Sequence, residues 1–498
     1  MTGTARRLFL TVWLVYGAHF ASNVVRETYL AVALGDGPSL RVDAYEGLHP
    51  DLFRVPGRGV YVNNNPGASL LGAVPYALSR PFVAILFAAR PELARPKPPG
   101  TYDDPRPNRT RFFNEARARG LDVKLGLAAA SMQVGLMAPL GGLAAVLVFL
   151  FLRARVGERR ALWLALLYAF GTPIFFRSAF LNQNAIVAHL VLFAFVAMLG
   201  VDPERRAGAR GPRRLAGVGA LLGLALLTDY SAAPLAAAFG VWTMADGWRA
   251  GGPRRALRSA AWFALGAAGP LLLLFGYQWR AFGNPWLPAQ SYMPATPFSV
   301  RGWHGITAPA PDLLWRNLLD PRFGLLAFCP MLALAVAAPW LRRRPGDPGP
   351  AGVAFALVAT GALLVFASSI QFARLQFNTG VRYLVPAVPL LYLALVPVLL
   401  RTPGVLRVLV VLPTVVISWS VAMARESVPT SLAHVLLGGF ELPWLTVLRK
   451  TAGAYAPYLA DGASPLPVFA VVGVLLWLLW RGWPASADGD TPGTTVAG

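Results

Sequence analysis

A carboxylate stands where the first apolar stretch of the chain gives way to polar residues. Glu27, in Asn23-Val-Val-Arg-Glu-Thr-Tyr29, follows an apolar run that begins behind Arg6 and Arg7. There it can act as a general base, taking the proton of an acceptor hydroxyl at a membrane surface. It can equally be an interfacial charge paired with Arg26. Asp43, Glu46 and Asp51 follow in a loop that also holds His49. Their oxygens suit Mg²⁺ or Mn²⁺, and Glu27 could share such an ion. Their spacing is no metal signature, and solvated loop charges are the plainer reading. Asp229, in Leu-Leu-Thr-Asp-Tyr230, interrupts apolar sequence, so it is either functional or a turn former. His189 follows the polar break at Asn182-Gln183-Asn184. Arg382, in Asn378-Thr-Gly-Val-Arg-Tyr383, carries a fork of donors matched to phosphate oxygens. The alternative makes Arg382 and Tyr383 anchors at a membrane interface.

These groups sit among elements whose character is set by composition. Of 498 residues, 56% are hydrophobic and 14% charged, far from the mix of a soluble domain. Apolar windows of about 17–25 residues, enough to span about 30 Å of hydrocarbon, recur along the chain. The chain therefore reads as an all-α polytopic membrane protein of about twelve transmembrane helices. They are expected at 8–25, 125–152, 161–180, 184–200, 214–229, 231–246, 259–279, 324–341, 352–371, 383–400, 404–424 and 466–481. Residues 1–482 form one transmembrane domain in this reading, and 483–498 a short cytoplasmic tail without order. No small-residue cleavage site follows the first apolar run, which is therefore expected to stay as a span.

Arginine sets the orientation. The loops at 153–160, 202–214, 246–255, 342–346 and 401–407 are short and basic, which places them and the N-terminus in the cytoplasm. That parity requires that 67–89 not cross alone. Its apolar halves, about 13 and 9 residues around Ser79-Arg80-Pro81, are each too short to span, so they are expected as juxtamembrane or re-entrant helices of a long outer loop, 26–124. Ten of the 23 carboxylates lie in that loop. Chemistry thus belongs on the outer face of a plasma membrane, the inner membrane of a bacterium.

Other functions are excluded or left without support. The net charge of +22 comes mostly from arginine in membrane-flanking loops, so it orients helices and points to no nucleic acid. The single Cys329 rules out an intrachain disulfide and a cysteine-clustered metal site. There is no GxxxxGK[ST] loop and no GxGxxG after a strand, so neither ATP hydrolysis nor a nucleotide-sugar domain is supported.

Together these residues resemble the GT-C superfamily of polyprenol-dependent membrane glycosyltransferases, in particular the bacterial branch of protein O-mannosyltransferases and the lipid A aminoarabinose transferase. Four pieces carry the likeness. Glu27 follows the first span; Tyr61, Asn63, Pro66, Gly67, Ser69, Pro75 and Tyr76 pattern the long first loop; a Gly-Thr-Pro turn at 171–173 precedes His189; and 320–332 and 380–393 match later outer-end motifs. Glu27 stands where many relatives have Asp, and Asn65-Pro66 where many have Pro-Pro.

The resemblance implies an inverting glycosyltransferase that takes a sugar from a polyprenyl-phosphate donor. The acceptor hydroxyl would belong to a lipid, glycan or protein. Glu27, then Asp43 or Asp51, would be the base, and Arg382, with or without a divalent cation, would hold the leaving phosphate. Tyr383, Tyr61, Asn63, His189 and Asp229 complete the expected substrate site. A lipid or glycan transporter, or a non-catalytic partner in envelope glycan assembly, is the competing expectation.

Overall fold

The computed structural model describes residues 3–22, 25–100, 107–201, 210–342, 347–375, 381–451 and 464–483. The tail expected at 483–498 lies, from residue 484 on, outside them. The fold is all-α and polytopic, with one two-stranded sheet among the described residues. Five helices are long and apolar enough to cross a membrane: Gly67–Ala89, Asp122–Val156, Tyr230–Phe282, Pro350–Ser369 and Gly404–Ala424. Shorter apolar helices run over Gln183–Leu199, Pro330–Trp340, Val385–Arg401 and Leu466–Trp480.

Several expected spans are built differently. The first helix, α1 (Gly3–Ala18), stops well before residue 25. The expected span 161–180 is a helix over Glu158–Gly171 and a single turn, Ile174–Arg177, parted at Thr172-Pro173. The expected spans 231–246 and 259–279, by contrast, are two helices parted at Gly251 and Gly252 in the basic loop between them, where the backbone leaves helical angles. Residues 324–341 form a short α-turn and then a 3₁₀ helix over Pro330–Trp340. The loop after 424 contains two helices, Val428–Gly438 and Pro443–Thr451, bent by 69°.

One end of the bundle is basic. Arg155 donates to Gly200 O at 2.9 Å and Val201 O at 2.6 Å, and Arg210 to Met198 O at 2.9 Å. These arginines satisfy carbonyls that helix ends leave open. At the other end lie α2 (Arg26–Asp36) and an antiparallel hairpin, β1 (Leu52–Val55) and β2 (Gly59–Val62), which pairs Leu52 with Val62 and Val55 with Gly59. The tight Pro56-Gly57-Arg58 connection holds Gly57 at φ +72°, a conformation that favours glycine.

The long first loop corrects one expectation. Residues 67–89 are not two short pieces but one continuous 23-residue helix, α3, with Pro75 and Pro81 inside it. Proline in a helix interior costs about 3 kcal/mol or more, and packing around these turns offsets that cost. Gly135 lets the Pro75 ring approach so closely that an added Cβ would lie 2.5 Å from it. Ser131 donates to Ser79 at 2.9 Å, Tyr76 to Asp36 at 2.8 Å and Arg80 to Gly35 O at 2.7 Å.

Both ends of α3 nevertheless meet the same end of the bundle. At its start, Asn65 donates to Leu226 O at 2.7 Å, and Gly67 sits so tightly on Leu227 and Thr228 that a Cβ would lie 2.8 Å from the Leu227 carbonyl. Just past its end, Lys97 donates to Arg117 O at 3.0 Å and pairs with Asp122 at 3.9 Å. Thr228 and Asp122 are the helix ends remote from the arginine-rich loops. Between those ends α3 packs antiparallel to the start of the Asp122–Val156 helix, Pro75 against Gly135 and Ser79 against Ser131, with Leu78, Phe82 and Ile85 exposed along one side. An exposed apolar face of this kind suits the boundary of a bilayer.

Candidate active site

The asparagines at 63–65 form a three-way junction. Asn65 turns to the end of the 212–228 helix, as described. Asn64 is buried and turns inward, where its Nδ2 donates to Glu27 Oε1 at 2.6 Å and also to Gln183 Oε1. Asn63 turns the other way, donating to Met293 Sδ at 3.1 Å. Three side chains in a row thus tie the first loop to α2, to the 183–199 helix, to the 212–228 helix and to the 289–293 turn.

Glu27 is 4% exposed and stands in the first turn of α2, where the helix dipole favours a carboxylate. Ser69 Oγ donates to its carbonyl oxygen at 2.8 Å, pinning the start of α3 beside it. Arg26 reaches both acids of the site: its Nε lies 3.4 Å from Glu27 Oε1 and its Nη1 pairs with Asp51 Oδ2. Burial disfavours the Arg26 charge, but Asp51 and Glu27 more than offset this and raise its pKa above the ordinary value. Burial likewise opposes the Asp51 charge, yet Arg26, with His49 and Arg382, holds that carboxylate below its usual range. His49 Nδ1 accepts the Asp51 backbone N–H at 3.1 Å, and the ring stacks on Phe112. Burial first, then Arg26 and Arg382, outweigh Asp51 and lower the imidazole to about 4. It is neutral at pH 7.

Arginines close the remaining side. Arg382 stacks on Tyr383 at 5.2 Å and acts electrostatically on Asp51, His49 and Arg177. Arg177 is 4% exposed and also feels Glu27. Arg425, equally buried, adopts a left-handed conformation (φ 59°) and donates to Phe176 O at 3.3 Å. Both lie over the Phe180 ring, at 5.5 and 5.0 Å. Sequence reasoning missed Arg177 and Arg425. The signal was there in Ile174-Phe-Phe-Arg177, since a lone arginine inside an apolar run is costly and often functional.

The structure therefore gathers Glu27, Asp51, Arg382 and Tyr383 of the expected site. It sets others apart. Asp43, on the hairpin side, pairs with Arg41 at 2.7 Å and accepts the Val60 N–H at 2.8 Å. Asp229 caps the turn at 230–232 by accepting the Ser231 N–H at 2.6 Å. His189 is fully buried, 3.4 Å from Ser178 Oγ. Tyr61 packs its ring on Phe282.

The donor set does not fit a divalent cation. Among the described residues no three of His, Cys, Asp and Glu gather as metal ligands. Glu27 and Asp51 instead flank the Arg26 guanidinium, and Glu46 is paired with Arg54. A built-in cation stands where shared carboxylates would hold an ion.

No protein-family model matches the chain, and no curated protein matches it. Among solved structures, the fold is similar to that of ArnT from Cupriavidus metallidurans bound to undecaprenyl phosphate. The identity is 16%, over 96% of this chain and 75% of that one, with a TM-score of 0.49. The same protein in the apo state gives 16% identity over 95% and 74% of the two chains, with a TM-score of 0.47. At this distance the likeness carries no residue-by-residue correspondence.

Proposed function

We propose that this protein is an integral-membrane glycosyltransferase, which moves a sugar from a polyprenyl-phosphate donor to an acceptor hydroxyl on a lipid, glycan or protein. The observation that carries the reading is one buried cluster at the carboxylate-rich end of the bundle: Glu27 held by Asn64 and Arg26, facing arginines 177 and 382. A carboxylate beside clustered arginines is the arrangement that a single displacement with a phosphate leaving group requires.

In that displacement the acceptor oxygen attacks the anomeric carbon, inverting it, while Glu27 takes the hydroxyl proton. The bond from the anomeric carbon to the phosphate oxygen breaks, and its electron pair leaves with the lipid phosphate. Arg382 and Arg177 stabilise that developing charge in a site shielded from water, where fixed donors act most strongly. Arg26 keeps Glu27 and Asp51 apart in charge terms and fixed in position. Burying the lipid among the helices removes the need for a nucleotide-binding domain. The site faces the outer side of a bacterial inner membrane in this proposal, with the N-terminus cytoplasmic.

The test is incubation of the purified protein with polyprenyl phosphates carrying radiolabelled sugars. Release of free lipid phosphate together with labelled acceptor supports the reading. Movement of intact donor across proteoliposomes without bond cleavage would make the protein a transporter instead.

A further inference from the structure

The displacement uses one branch of the asparagine junction and leaves the Asn63 branch without a task. Asn63 spends its Nδ2 on a thioether, a weak acceptor, and its buried Oδ1 has no hydrogen-bond partner. Tyr61, two residues earlier in β2, packs on Phe282 with ring centroids 5.3 Å apart. Phe282 in turn stacks on Tyr292 at 4.9 Å and meets Tyr277 edge-on at 6.0 Å. Tyr277 is 7% exposed, and its hydroxyl also lacks a partner. The next residue, Gln278, donates to the Tyr230 hydroxyl. On the turn that carries Tyr292, Gln290 Oε1 is a third buried atom without a partner.

A buried polar atom left without a partner costs about 1–3 kcal/mol. Here three such atoms belong to the three segments whose rings pack together, the first loop, the helix ending at Phe282 and the 289–293 turn. Aromatic surface with a few convergent polar groups is how proteins hold small polar ligands. We propose that this cluster is a sugar subsite: a pyranose ring lies against the Tyr61 and Tyr292 rings, backed by Phe282, whose own faces are covered by Phe53 and Tyr292. Its hydroxyls donate to Asn63 Oδ1 and Gln290 Oε1 and exchange a hydrogen bond with the Tyr277 hydroxyl. The inference rests on the glycosyl-transfer reading. It adds where the sugar is read, one residue along the chain from the asparagine that holds the base. The ring bound there is that of the donor or that of a glycan acceptor.

The experiment uses the full chain in nanodiscs, with Tyr277→Phe, Asn63→Ala and Gln290→Ala as variants. Tyr277→Phe keeps the ring, and Gln290 lies on a half-buried turn, so at least these two should fold. Binding of methyl glucoside, mannoside, galactoside and arabinopyranoside is followed by saturation-transfer NMR. Binding of undecaprenyl phosphate is compared with that of undecaprenyl phosphate carrying glucose or mannose. The wild type should bind at least one glycoside, and each variant should lose about three- to tenfold, the worth of one hydrogen bond, with bare undecaprenyl phosphate unaffected. If the variants also lose the preference for a sugar-bearing lipid, the subsite holds the donor sugar; if that preference survives, it holds the acceptor. Absence of glycoside binding in the wild type, or an equal loss for bare lipid in the variants, overturns the subsite. A wild type that binds glycosides but no undecaprenyl phosphate leaves the subsite standing and removes the polyprenyl-phosphate reading.

Discussion

Replacing Glu27 with glutamine separates the proposed base from its surroundings. Glutamine keeps the shape and one oxygen, so Asn64 retains its acceptor; the charge and the basic oxygen are lost. Removing a general base costs about 10²–10⁴-fold in rate, or about 3–5 kcal/mol of barrier. Stability should suffer less. Breaking a lone buried pair costs about 3–5 kcal/mol because a charge is stranded. Arg26, however, keeps Asp51, so Glu27→Gln should cost no more than the about 1–3 kcal/mol of one disturbed buried contact. The assay is release of labelled sugar from a polyprenyl-phosphate donor, with donor affinity measured beside it. The expected result is turnover down by at least a hundredfold, affinity nearly unchanged and the protein folded. Asp43→Asn is the control, because Asp43 is tied to Arg41 and Val60 on the hairpin, and it should turn over normally. Asp51→Asn competes directly for the role of base. Wild-type turnover in Glu27→Gln would refute the assignment. Loss of donor binding with turnover would make Glu27 a residue that holds the site together.

Four further outcomes are expected. Arg382→Lys should lose most turnover at normal expression, because a point charge lacks the fork that grips phosphate; full activity would reduce Arg382 to an interface anchor. Chelation with EDTA should leave turnover unchanged, since Arg26 occupies the place between the carboxylates; a loss restored by Mg²⁺ or Mn²⁺ would contradict this. Reporters fused at Gly100 and Thr110 should read on one side of the membrane and those at Arg155 and Arg210 on the other, and agreement of all four would undo the placement of α3. His49 should make stability fall with acid: its folded pKa of about 4 lies below the ordinary value near 6.5, so stability present above about pH 6.5 is lost as pH falls towards about 4. His49→Asn, which can still accept the Asp51 N–H, should flatten the thermal midpoint over that window, and an unchanged slope would count against the linkage.

Local chemistry was readable from the residues, and long-range pairing was not. Hydropathy marked the apolar segments because each must meet lipid wherever it packs. It could not place all their ends: Thr172-Pro173 breaks a helix inside a segment that is apolar throughout, whereas Gly251-Gly252 falls in the basic loop expected at 246–255. Counting the residues around Ser79-Arg80-Pro81 predicted two short pieces where the structure has one continuous helix. The prolines do not divide α3, because Gly135 opposite Pro75 and Asp36 opposite Tyr76 and Arg80 absorb the disturbance. Neither partner is a neighbour in sequence. The same limit hid the site. Asp43 and Asp51 look alike as loop carboxylates, and what separates them is that Arg26 reaches one while Arg41 holds the other.

The three asparagines show why such a stretch resists reading by propensity. Asparagine disfavours both helix and strand interiors, so the run reads as a turn. A turn explains the backbone but not three amides in succession, each of them buried here. Burying an amide without partners is unfavourable, so each must be matched by something outside the run. Asn64 and Asn65 are matched, by Glu27 and Gln183 and by the Leu226 carbonyl. All three donate through Nδ2, but of the three carbonyl oxygens only that of Asn63 is both fully buried and without a partner. A loop that needed anchoring alone would be served by two. The third asparagine, tied to the 289–293 turn through its amide nitrogen and with its buried carbonyl oxygen unmatched, is the residue whose type the fold does not account for and a bound hydroxyl would.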